Sequence, residues 1–200
     1  MPDWFVKGGI VMWPLLVCSV AGLAIILERI WALQRRRIIS PVLAQAIENN
    51  PHTPDQLEAV RGLGETDPTV LGELTRATFK HASLPKTENV EAVQAVARQI
   101  IGRLERGLTT LVIIVELGPL LGLLGTVRGM VRLFADVARH GLADPSMISR
   151  GISEALIATF TGLSIAIPAL IAYMYLRRRI ENQALEMERH VNELIARLYH

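Results

Sequence analysis

Apolar positions along the chain gather into three blocks, separated by mixed and charged stretches. Residues 9–27 and 155–176 carry no charged side chain, and 108–135 is apolar apart from Glu116, Arg128 and Arg132. Runs of about 18 or more mostly apolar residues are long enough to cross a bilayer as helices. The pattern predicts membrane helices over 9–27, 108–135 and 154–176. It leaves a short outer segment at 1–8, a soluble stretch at 28–107, a loop at 136–153 and a tail at 177–200.

The soluble stretch reads as helical. Ser40-Pro41, the capping box Thr53-Pro54-Asp55-Gln56 and Asp67-Pro68 each mark a helix start. After Thr87, Val90, Val93, Ala97, Ile100, Ile101, Leu104 and Leu108 recur at helical spacing and run on into the second apolar block. No strand-like alternation occurs. The stretch is short for a core of its own, so it is expected to pack on neighbouring chains. In 177–200, Ile180, Ala184, Met187, Val191, Leu194 and Leu198 form a heptad-like seam. That seam suits either the chain's own soluble part or another subunit.

Composition adds little until it is read by position. Half of the 200 residues are hydrophobic, which by itself a soluble domain can match; the clustering is what argues against an ordinary soluble enzyme. A net charge of +2 does not suggest nucleic-acid binding. The triplets Arg35–Arg36–Arg37 and Arg177–Arg178–Arg179 follow the first and last blocks, and short Lys/Arg-rich segments stay in the cytoplasm. This predicts an outer N-terminus and an inner C-terminus. Trp4, Phe5 and Trp13 suit the headgroup level. The first block lacks a small-residue cleavage site before its arginines, so it is expected to be a retained helix rather than a signal peptide. Cys18 is the only cysteine, so no intramolecular disulfide forms. His52, His81, His140, His190 and His200 are scattered, with no metal-ligand cluster, nucleophile motif or phosphate loop. No metal, cofactor or enzymatic activity is expected.

The exceptions inside the apolar blocks carry the candidate chemistry. As a helix, 108–135 is about 42 Å long against a hydrocarbon core of about 30 Å. Glu116 and Arg132 are about 24 Å apart along it. At least one of Glu116, Arg128 and Arg132 must therefore face protein, water or an ion path, or snorkel. Gly118, Gly122, Gly125 and Gly129 form a smooth stripe that lets another helix approach. Pro119 frees a carbonyl, and Thr126 either bonds its own helix or lines a hydrated path. In the third block, Asp144-Pro145 marks the helix start and Glu154 stands about 35 Å from Arg177. Glu154 is an interface anchor or an ionisable pore group. Thr159, Thr161, Gly162 and Ser164 suit tight helix contacts, and Pro168 predicts a kink.

The stretches Gly118-Pro-Leu-Leu-Gly-Leu-Leu-Gly-Thr-Val-Arg-Gly-Met130 and Ile152-Ser-Glu-Ala-Leu-Ile-Ala-Thr-Phe-Thr-Gly-Leu-Ser-Ile-Ala-Ile-Pro-Ala-Leu-Ile-Ala-Tyr173 resemble the signature of the ExbB/TolQ proton-channel family. The Glu28-Arg29 end of the first helix resembles it too, and the three-helix pattern is closer to the ExbB type than to the four-helix MotA stators. The resemblance implies an all-α membrane protein whose three transmembrane helices extend into cytoplasmic helices and assemble as a pentameric pore in a bacterial inner membrane. It implies a non-enzymatic motor subunit that converts proton-motive force into work at the outer membrane, such as TonB-dependent import. The implied partners are two ExbD- or TolR-like single-helix subunits in the pore and a TonB- or TolA-like protein. The alternatives are a TolQ-type envelope-integrity motor or a non-conducting scaffold. By resemblance, Glu154, Thr126 and Thr159 form the proton pathway. Gly118, Pro119, Gly122, Gly125, Gly129, Gly162 and Pro168 would pack the pore helices. Glu116, Arg128 and Arg150 depart from the family's usual residues, and an arginine near the outer mouth could pair with Glu154.

Overall fold

In a computed structural model, the described residues are Phe5, 8–49, 51, 53–140 and 145–199. Trp4, His52, Asp144 and His200 lie outside them. The elements are helices: α1 (Met12–Ala32), α2 (Arg35–Ile38), α3 (Pro41–Glu48), α4 (Pro54–Thr66), α5 (Val70–Lys80), α6 (Lys86–His140) and α7 (Pro145–Leu198). Three of them, α1, α6 and α7, are long and apolar enough to cross a membrane. The chain divides into two compact units, Met1–Glu28 with Gly107–Met174 and Arg29–Arg106 with Tyr175–His200.

Local chemistry sets the shorter helices. At α4, the Gln56 backbone N–H donates to Thr53 Oγ1, and the Thr53 N–H donates to Gln56 Oε1, both at 3.3 Å. Pro54 occupies the first turn, where its missing N–H costs least. Asp67-Pro68 does not itself open α5. Asp67 ends α4 and accepts from the Thr69 N–H at 2.7 Å, while Thr69 caps α5 by accepting from the Gly72 N–H at 3.3 Å. The capping oxygen thus comes two residues later than the Asp-Pro pair suggests.

The first unit packs the apolar parts of α1, α6 and α7. Val11, Met12 and Leu15 are buried against Leu121, Ile157 and Ile165. Before α1 the chain turns at Gly9, whose carbonyl accepts from the Met12 N–H at 3.2 Å. Phe5 meets Trp13 edge-on, with ring centroids 5.5 Å apart.

The second unit has a core of its own. The stretch 28–107, expected to be too short for a core of its own, forms one with the C-terminal part of α7. Leu33, Ile38, Leu43, Ile47, Leu71, Leu74 and Ile100 are buried together with Ile180, Met187, Val191 and Leu194. Burying a large aliphatic side chain contributes about 1.5–3 kcal/mol, so the heptad-like seam is used within the chain. The Gln183 amide donates to the Leu33 carbonyl at 3.1 Å, and Asn89 donates to the Thr78 carbonyl at 3.2 Å. Arg35 pairs with Glu186, and Arg189 with Glu48. Arg37 lies over the Trp31 ring, 3.5 Å from its centroid, a cation–π contact.

Candidate functional site

In the membrane-type unit, small residues let α6 and α7 touch backbone to backbone. A Cβ on Gly118 would meet the Gly162 carbonyl at 2.9 Å and Ala166 Cβ at 3.2 Å. One on Gly122 would meet Thr159 Cα at 3.0 Å, and one on Gly129 would meet the Gly151 carbonyl at 3.1 Å. A Cβ on Gly125 would strike Ala158 Cβ and reach Val11 of the α1 approach. Gly22 of α1 faces Ile114. The four glycines therefore face α7, with Gly125 also close to Val11. Pro119 is half-buried and Pro168 exposed, both inside their helices.

The two pore-candidate threonines are held differently. Thr159 Oγ1 donates to the Gly122 carbonyl at 3.1 Å, crossing from α7 to α6. Thr126 Oγ1 donates to the Leu123 carbonyl of its own helix at 2.7 Å. Both side chains are half-buried. Thr126 stands four residues beyond Gly122, about 6 Å toward the Glu154 end. Each hydroxyl has its one proton committed to a carbonyl and keeps lone pairs free to accept. Thr161 likewise donates to Ile157 at 2.8 Å within α7.

Glu154 has a built surrounding that the spacing did not reveal. Its Oε1 accepts from Arg132 Nη1 at 3.4 Å, with the glutamate side chain 17% exposed and the arginine 55%. Its carboxylate also occupies the space where a side chain on Gly9 would go, and Gly9 has φ +73°. That left-handed conformation favours glycine, so backbone and clearance both demand it. The pairing arginine is thus Arg132, not Arg128 or Arg150. Arg128 is half-buried and Arg150 exposed. The one available signal was that Arg132 lies one helical turn past Arg128, near the level where Gly129 meets Ala155. Glu154 and Thr159 are five residues apart, about 140° around a helix. Glu154 is therefore offset from the threonine in direction as well as in height.

Glu116 is exposed on α6, and no ion pair joins it to Arg128 or Arg132 among the described residues. Among the described residues, no group of three or more His, Cys, Asp or Glu side chains could hold a metal ion. Cys18 is a free, half-buried thiol on α1.

In the second unit, Glu186, Asp67 and His190 are held away from their ordinary values. The Arg35 guanidinium, hydrogen-bonded to Glu186, holds that carboxyl below the usual range. Burial opposes ionisation of Asp67, but hydrogen bonds from Thr69 and Ser40 and the nearby Arg76 charge outweigh it and lower its pKa. Burial pushes His190 down from the usual histidine range. Its ring is 1% exposed, neither ring nitrogen has a hydrogen-bond partner among the described residues, and Nδ1 lies 3.9 Å from Glu48 Oε1.

The sequence pattern described as the MotA/TolQ/ExbB proton channel family matches residues 66–189. The chain is 36% identical over 184 residues to putative biopolymer transport protein ExbB-like 1 of Synechocystis sp., an alignment covering 87% of this chain and 69% of that one. It is 27% identical over 187 residues to biopolymer transport protein exbB1 of Vibrio cholerae, covering 92% and 82%. It is also 31% identical over 196 residues to the Tol-Pal system protein TolQ of Haemophilus influenzae, covering 89% and 84%.

Proposed function

From the premise that this chain belongs to the MotA/TolQ/ExbB proton channel family, a family of membrane transport proteins rather than enzymes, we propose that it is the conducting subunit of an inner-membrane motor. Five copies form a pore around two ExbD- or TolR-like single-helix subunits. Proton flow through that assembly drives a TonB-like protein and so energises import at the outer membrane. The path runs past Glu154, Thr126 and Thr159.

The observation that carries this reading is the hydroxyl of Thr159 seated on the Gly122 carbonyl at the glycine seam of α6 and α7. A polar hydroxyl in an apolar helix pair that already packs on glycine is not needed for close approach. Its lone pairs can accept a hydrogen bond from a water or from a protonated carboxyl on a partner helix. Glu154 stands at one end of the same helix pair. Its bond to Arg132 favours an anchoring role for this carboxylate, in which case the threonines line the path and Glu154 sets the field at its mouth.

The test replaces Thr126→Val, Thr159→Val and Glu154→Gln one at a time in the native host. Proton-dependent work should fall by at least tenfold in each variant while native mass spectrometry still shows five copies. If all three retained full activity, the conducting reading would be lost and the non-conducting scaffold would stand.

A further inference from the structure

Glu116 is a carboxylate placed at mid-span. Two residues on, Gly118 packs against Gly162 and Ala166 of α7. That level lies near the centre of the uncharged run 155–176, ten or more residues from Glu154 and from Arg177, or about 15 Å either way. Along α6 itself the neighbouring charges, Arg106 and Arg128, are ten and twelve residues away, about 15 and 18 Å. A glutamate cannot snorkel so far, and an arginine side chain cannot cover the gap. Helix geometry also fixes its direction. Two residues from Gly118 is about 160° around the helix, so Glu116 points away from α7. It points away from α1 as well, because Gly22 of α1 meets Ile114, again two residues from Glu116.

Its neighbours on that face are Ile113, Leu120, Leu123 and Val127, 49–60% exposed. Lipid could cover those side chains but not the carboxylate, since charged groups at mid-bilayer are costly unless they face protein or water. On α7, Ser164 follows Gly162 by two residues and so also points outward, at the level of Glu116, and is exposed. Around it stand Phe160, Ile167 and Ile171, 74%, 56% and 65% exposed. One chain therefore carries two outward apolar faces, one with a buried-depth acceptor and one with a donor at matching depth.

We propose that these two faces meet between neighbouring copies, the Ser164 hydroxyl of one copy donating to the Glu116 carboxylate of the next. Two different faces of one chain make a head-to-tail contact, which closes into a ring when its rotation allows. The seam rests on the multi-copy assembly proposed above and adds which faces build it.

The test is cross-linking of the full chain in its native membrane, in a Cys18→Ala background, with a short bismaleimide. One variant is Glu116→Cys with Ser164→Cys. The other is Leu120→Cys with Phe160→Cys, one layer farther on, which leaves Glu116 in place should its loss prevent assembly. Within one chain each pair points to opposite sides of a helix pair whose axes are about 8–10 Å apart, so a short link must join copies. The expected result is a ladder of chain multimers, with no cross-linked dimer from any of the four single cysteines. A dimer from a single cysteine, or a link to a smaller polypeptide, overturns the seam. So does the absence of links from both pairs while native mass spectrometry shows several copies, an outcome that leaves the assembly reading standing. A monomer by native mass overturns both.

Discussion

Two hydroxyls that look equivalent in the sequence differ once their acceptors are known. Thr159 bridges two helices at 3.1 Å, whereas Thr126 satisfies itself on its own turn at 2.7 Å. Interhelical hydrogen bonds in membranes average about 0.6 kcal/mol. Thr159→Val should therefore lower the midpoint of thermal unfolding in detergent by a degree or more, while Thr126→Val leaves it nearly unchanged. Equal shifts in the two variants would show that the bridge contributes nothing. Glu154 supplies a second contrast. Gly9→Ala forces a side chain into the left-handed region, which costs about 1–2 kcal/mol, and drives a methyl into the Glu154 carboxylate. Shortening the acid with Glu154→Asp should recover part of the stability lost in Gly9→Ala, although Glu154→Asp alone weakens the bond to Arg132. Additive losses in the double variant, measured by the same melts, would contradict the contact. Glu154 and both threonines were legible as residues because they are polar interruptions of apolar helices. Their partners were not, since Gly9 and Arg132 are 145 and 22 positions away from Glu154 in the chain, and periodicity carries no information about pairing between helices.

At the scale of elements, the three long apolar helices were readable from composition because the bilayer length fixes how long such a run must be. Their continuation was only partly so: α6 runs unbroken from Lys86 to His140 and α7 from Pro145 to Leu198. Helical periodicity passes through a change from polar to apolar surroundings without a mark. The glycine stripe was readable as a packing face, but only the structure shows which glycines sit on carbonyls. Gly162→Ala places a methyl on the Gly118 carbonyl and should cost about 1–3 kcal/mol, the usual penalty of overpacking. Gly102→Ala, on α6, meets nothing within 4 Å and should stabilise by about 0.5–1 kcal/mol through helix propensity. Denaturant titration of the two variants against the parent reads both signs at once. The C-terminal seam shows the other limit of a sequence pattern, because a heptad repeat states that a stripe is buried without saying by what. Here Ile180, Met187 and Val191 of the seam share one cavity lining with Leu74 of α5 and with Val93 and Ile100 of α6 in their own unit.

Taken as one molecule, the chain joins a membrane-type unit to a unit in which His190, Glu186 and Asp67 respond to acid in one direction. His190 has a depressed pKa in the folded chain, so below the ordinary histidine value of about 6.5 the unfolded chain binds more protons. Its contribution to stability is present above that value and declines as pH falls. Glu186 and Asp67, also held low, follow the same sign at more acid pH, below the ordinary carboxylate values of about 4. Lowering the pH from 7.5 to 5.5 should therefore reduce the thermal midpoint of the full chain in detergent, and His190→Gln should flatten that slope; a slope unchanged in His190→Gln would assign it elsewhere. The cell compartment that sets this pH is a prediction from the arginines. Arg35–Arg36–Arg37 and Arg177–Arg178–Arg179 both belong to this unit, and the positive-inside rule orients short basic segments toward the cytoplasm. A fluorescent protein fused after His200 should fold and fluoresce, since it would remain in the cytoplasm, whereas alkaline phosphatase fused at the same point should be inactive. The reverse result would place the acid-sensitive unit outside, and with it reverse the direction in which a proton on the proposed path past Glu154, Thr126 and Thr159 must travel to enter the cell.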